Sequence, residues 1–160
     1  MRKTMARFIR AVAVVATGVA VATGLAVLNA PAASAGGCVP PVCGGVWNNT
    51  SKTMSVTVNL GSGSGHCDVW NYDGGTANKF KYAKCDQLDL GRGTFGGPRN
   101  KPPYFDVDAF TYNGQGYHER FGPLGTWHWR TKGVWTKIRD YQFATCNMDD
   151  GQIWCTILPL

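Results

Sequence analysis

The chain has 160 residues, with 16 Lys and Arg against 10 Asp and Glu and a formal charge of +6. Four of those cations, Arg2, Lys3, Arg7 and Arg10, sit at the amino terminus, so the remainder of the chain carries only +2. A near-neutral body gains little from counterion release, which argues against nucleic-acid binding.

The same four cations precede an apolar run from Ala11 to Ala30 and the small-residue triplet Ala33-Ser34-Ala35. That is the layout of a cleaved export signal of bacterial type, over residues 1–35. The run is long enough to span a bilayer, but its small residues, Pro31 and the triplet favour removal. The expected product is one domain, residues 36–160, long enough to bury a single core. Outside the cytoplasm its six cysteines read as disulfide partners rather than metal ligands or redox thiols. A secondary expectation is lipid attachment at Cys38, since Ala35-Gly36-Gly37 precedes that thiol.

Gly and Pro interrupt the chain at short intervals and no helical period persists, which predicts an all-β fold. The expected form is a small antiparallel sandwich or barrel stapled by disulfides. Val46-Trp47 and the alternating segment Met54 to Leu60 predict a hairpin around the turn Asn48 to Ser51, with one face of the second strand buried. Gly61 to Gly65 reads as a flexible loop and Asp73-Gly74-Gly75 as a turn. The Lys79 to Lys84 run fits a solvated strand better than a nucleic-acid footprint. Further strands are predicted at Gln87 to Leu90, Phe105 to Tyr112, Tyr117 to Phe121, Thr126 to Arg130 and Val134 to Arg139.

The carboxyl end carries the sharpest structural signal. Asp150-Gly151 suits a two-residue type I′ turn between Tyr141 to Asp149 and Gln152 to Leu158. Counting outward pairs Asp149 with Gln152, Met148 with Ile153, Asn147 with Trp154 and Cys146 with Cys155. The cysteines then face each other at a non-hydrogen-bonded position, close enough to bridge. Ala144, Met148, Ile153 and Ile157 share their face. Cys67 with Cys85 would close a loop of about twenty residues, and Cys38 pairs with Cys43 by elimination. The last pair needs a turn in Val39-Pro40-Pro41-Val42, with a cis Pro41 as one route, because an extended polyproline spacer would hold the sulfurs apart.

Candidate chemistry is sparse. In Trp127-His128-Trp129-Arg130 the indoles share one strand face, serving either as floor of the core, the preferred reading, or as a sugar-stacking platform. Trp135, with Tyr117 and His118, is the preferred surface patch for a polysaccharide or a protein. The thirteen-residue connection Gly91 to Pro103 is long for a structureless loop. It offers Arg92, Phe95, Arg99 and Lys101 as an inhibitor's protruding element, the alternative reading.

Asp106 and Asp108 lack the calcium-loop pattern and read as a solvated edge or a salt bridge to Arg120 or Arg130. Gly61 to Gly65 is no nucleophile elbow, since glycine stands where serine is required. His66, His118 and His128 lack ligand spacing. Glu119, the sole glutamate, has no assignable glycosidase partner, so a small hydrolase is only a remote alternative. The expectation is therefore a secreted, monomeric, non-enzymatic binding protein without cofactor or metal, its target unknown, that engages neither nucleic acid nor, once processed, a membrane.

Overall fold

The computed structural model describes Cys38, residues 42–97, Asn100 and residues 102–160. The expected export signal and its cleavage site, the Pro40-Pro41 spacer, and Pro98, Arg99 and Lys101 of the long loop lie outside the described residues.

The described residues form twelve strands in chain order: β1 (Gly45–Asn49), β2 (Met54–Thr57), β3 (Gly65–Val69), β4 (Lys81–Cys85), β5 (Leu88–Leu90), β6 (Thr94–Gly96), β7 (Ala109–Thr111), β8 (Tyr117–Phe121), β9 (His128–Arg130), β10 (Val134–Lys137), β11 (Gln142–Asp149) and β12 (Gln152–Pro159). The described residues contain no helix, as the Gly and Pro punctuation predicts. Two six-stranded sheets result, with orders β6-β1-β11-β12-β8-β9 and β4-β3-β10-β7-β2-β5.

The β11–β12 hairpin has the predicted register through all of its pairs, from Asp149 opposite Gln152 past Cys146 opposite Cys155. Asp150 and Gly151 both take positive φ, 44° and 73°, the left-handed pair that a type I′ turn requires. The Cys146–Cys155 Cα atoms stand 4.0 Å apart. Cys67–Cys85 and Cys38–Cys43 complete the expected set of three disulfides, and no described cysteine is free. Because the Cys38 sulfur is bonded to Cys43, it has no valence for a lipid thioether, which overturns that secondary expectation. Bridges of this kind persist in oxidising compartments and are consistent with a secreted protein. Among the described residues no helix is long and apolar enough to cross a membrane.

Two expectations fail on strand pairing. The sheets are mixed rather than antiparallel: β1 runs parallel to β11, β8 to β12, and β3 to β10. The β1–β2 hairpin does not form either, because β1 joins the first sheet while β2 pairs with β5 and β7 in the second. The turn between them is a crossing held by buried Asn48. Its Nδ2 donates to the carbonyls of Lys52, Leu90 and Gly91 at 2.8, 3.0 and 3.1 Å. Its Oδ1 accepts from Thr50 Oγ1 at 2.8 Å and Tyr112 OH at 3.0 Å. A first-sheet side chain that satisfies carbonyls of the turn and of the β5 end of the second sheet ties the crossing where a hairpin ladder would have run.

The inward faces of the two sheets share one core, with Val46, Ala144, Cys146, Ile153, Cys155 and Ile157 from the first meeting Met54, Val56, Leu90 and Phe110 from the second. A second cluster lies on the far face of the second sheet, where Leu60, Val69, Ala83 and the Cys67–Cys85 bridge enclose Trp135. Both faces of β2 are consequently buried, although its Met/Ser/Val/Thr alternation predicts only one.

Candidate functional site

On a strand, successive side chains point to opposite faces. In β8, Tyr117 and Glu119 point into the core while His118 and Arg120 point out. The same alternation sends Trp47 and Asn49 outward from β1, Thr145 and Asn147 from β11, and Trp154 and Thr156 from β12. Register then assembles these residues into two rows on the outer face of the first sheet. One runs Asn49, Asn147, Trp154, His118, Trp129, and the other runs Trp47, Thr145, Thr156, Arg120. Trp127 extends the second row beside Arg120, whose guanidinium stands 4.4 Å from the indole centroid.

The rings form one connected surface. Trp154 stacks on His118 at 4.0 Å with planes 10° apart. Trp129 meets the other side of His118 at 4.9 Å and 62°, and Trp127 meets Trp154 at 4.9 Å and 83°. Gly116, the residue before β8, has no side chain, and the Trp129 indole lies in the space a Cβ there would occupy. The ring is thus supported from below and 53% exposed. At the other end of the face Trp47 is 46% exposed, and Phe95 stacks on Phe143 at 5.5 Å.

Polar groups fill the gaps. Asn49 Nδ2 donates to Asn147 Oδ1 at 2.9 Å, His118 Nε2 donates to Gln152 Oε1 at 3.0 Å, and Arg120 Nε donates to Thr156 Oγ1 at 3.2 Å. Neither row contains a carboxylate. Among the described residues the ion pairs are Lys79–Asp73 and Arg130–Glu119, so Arg120 faces solvent without an anionic partner.

Beneath this face β8 and β9 hold a buried ion pair. Arg130 donates to Glu119 Oε1 from Nε at 3.2 Å and from Nη2 at 2.9 Å, while Glu119 Oε2 has no hydrogen-bond partner among the described residues. Burial pushes the Glu119 carboxyl above its ordinary range against the pull of Arg130. The guanidinium also lies 3.5 Å from the Trp70 ring, so one side chain fastens the β9 edge of the first sheet to the segment following β3 of the second. A shallow recess of about 210 Å³ opens beside it, lined by Trp70, Phe121, Thr126 and His128 among others.

The sequence-predicted residues fare unevenly. Trp127, Trp129 and His118 come together on the surface, which reverses the preference for a core role for the two indoles. Trp135 is 2% exposed and no surface candidate, because β10 lies inside the second sheet and the far face of that sheet is covered. Tyr117 is 0% exposed, its hydroxyl donating to the Val134 carbonyl at 2.9 Å and meeting Thr136 Oγ1 at 2.8 Å. As His118's chain neighbour it had to face the other way.

Phe95 does not protrude from a loop, since the Gly91 to Pro103 connection contains β6, which pairs with β1 at the sheet edge. Arg92 is exposed in the turn ahead of it. Asp106 and Asp108 form neither a solvated edge nor a bridge to Arg120 or Arg130. Asp106 accepts from the Gly44 amide at 3.1 Å and Asp108 from the Leu60 amide at 2.8 Å, and burial raises the Asp108 pKa to about 7. Asp106 lies near Cys38 and Cys43, but those sulfurs are bonded to each other and offer no thiolate to a metal.

Trp154 and Trp47 are absent from the predicted patch. Their signal was parity: each sits one residue from a core-facing position, Cys155 and Val46.

Compared with protein-family models, with curated proteins and with solved structures, the chain matches none.

Proposed function

We propose that this protein is an exported, non-enzymatic binding domain whose outer first-sheet face grips extracellular polysaccharide. The observation that carries the reading is the continuous aromatic surface of Trp127, Trp129, His118 and Trp154, interleaved with amide and hydroxyl groups on a rigid sheet. Large apolar side chains left on a sheet face of a disulfide-bonded domain mark an interaction site. Aromatic faces suit the apolar C–H faces of sugar rings, and the adjacent Asn, Gln and Thr groups suit their hydroxyls. A site on paired strands also costs little ordering on binding. The inhibitor alternative retains only Arg92 among the described residues, since Phe95 belongs to the sheet.

Retention of the oxidised, leader-free protein on insoluble glucans and chitin tests the reading. Trp129→Ala and Trp154→Ala should each lower retention at least tenfold while circular dichroism stays unchanged. Wild-type-like retention by both variants would remove the face as the contact surface.

A further inference from the structure

The charge on the aromatic face narrows its ligand. Building on the binding-face reading, the geometry points to an acidic polysaccharide, one whose pyranose rings lie along the two rows while a carboxylate on the sugar pairs with Arg120.

Three features converge on this class. First, Arg120 lies within the ring surface and not on its rim, opposite Thr156 on one side and beside Trp127 on the other. Its other contacts are neutral, a hydroxyl and an indole face, and no carboxylate in either row neutralises it. A guanidinium held by a ring and a hydroxyl is pre-organised for bidentate pairing with a planar anion.

Second, the remaining groups of the two rows, amides, hydroxyls and His118, are all able to hydrogen-bond neutral hydroxyls or carboxylate oxygens. An anion seated on the two rows therefore meets complementary charge at Arg120 and no carboxylate within them, Asp149 lying one row further along β11 opposite Gln152. Third, the first row crosses the five strands β1, β11, β12, β8 and β9, which spans roughly 19 Å at a strand spacing near 4.8 Å. That accommodates a chain of several sugars, with Trp47 and Trp129 at its ends.

Wild type, Arg120→Gln and Trp129→Ala should be titrated by calorimetry with cellohexaose and with the hexamer of the same β-1,4 backbone oxidised to the carboxylate at C6. Poly-glutamate serves as a ring-free polyanion. Wild type should bind the acidic hexamer about tenfold more tightly than the neutral one, the size of one charge-assisted contact. The preference should shrink with added salt and fall to near unity in Arg120→Gln. Trp129→Ala should weaken the acidic hexamer at least tenfold.

Equal affinity of wild type for the two hexamers overturns the acidic preference while leaving a polysaccharide-binding face intact. So does an Arg120→Gln variant that keeps the preference. Poly-glutamate binding as tight as the acidic hexamer overturns recognition of sugar rings in favour of bulk charge. No binding to any hexamer, with none to the insoluble polymers, defeats the binding-face reading itself.

Discussion

Replacing Arg130 with Met isolates the energetics of the ion pair beneath the candidate site. The Glu119 side chain is 0% exposed and that of Arg130 18%, and Arg130 supplies both hydrogen bonds to Oε1. Methionine keeps an apolar stem against Trp70 but leaves the carboxylate with neither counter-charge nor donor.

Breaking a buried pair from one side typically costs about 3–5 kcal/mol, a large part of the roughly 5–15 kcal/mol that stabilises a domain. The loss should depend on pH. Burial already raises the Glu119 pKa above 4.5, and without Arg130 it rises further. A carboxyl raised on folding binds its proton more tightly in the native state, so stability falls as pH rises from the unfolded value through the folded one. The Arg130→Met deficit should therefore be largest at neutral pH and shrink toward pH 4.5.

Adding Glu119→Gln to Arg130→Met should restore most of the loss, since no charge then remains buried. Urea unfolding of the oxidised protein, followed by tryptophan fluorescence at pH 7 and pH 4.5, provides the measurement. A deficit below about 1 kcal/mol at pH 7, or one equal at both pH values, would show that the pair does not carry the stability assigned to it.

Three further outcomes are expected. Asp108→Asn keeps an acceptor for the Leu60 amide but removes a carboxyl whose pKa is raised from 3.8 to about 7. Wild-type stability should fall by about 2 kcal/mol between pH 5 and pH 7 through this group. The variant should lack that component, as pH-dependent denaturant melts would show. Opening the Cys67–Cys85 bridge by paired Ala substitution should cost about 3 kcal/mol on the loop-entropy estimate, read as a lowered urea midpoint. Gly116→Ala places a methyl group against the Trp129 indole and the Arg130 carbonyl oxygen. It should cost about 1–3 kcal/mol and weaken polysaccharide retention without removing an aromatic residue, while unchanged retention would mean that the tilt of Trp129 is immaterial.

The residues around Asp150-Gly151 contained the β11–β12 hairpin almost completely. Turn chemistry is local, the strand period is two, and together they dictate which cysteines meet and which residues face inward. Strand parity likewise separated Trp129 from His128 before any tertiary contact is considered, whereas the patch expected of Tyr117 and His118 together ignored the same rule, which sends chain neighbours on a strand to opposite faces.

Local pattern did not disclose which face of a strand is covered. Trp135 and Trp129 sit in similar short aromatic strands, yet β10 lies between β3 and β7 under a second apolar cluster, whereas β9 ends its sheet with its outer face open. Nor could it show that β1 leaves β2 for β11, because parallel pairing joins segments about a hundred residues apart and imposes no turn signature near either strand. Two-residue periodicity and turn residues are properties of short stretches of chain, so composition and order determined them. The assembly of Trp154, His118, Trp129 and Arg120 into one surface required the long-range register of three strands, and only the folded sheets decided that.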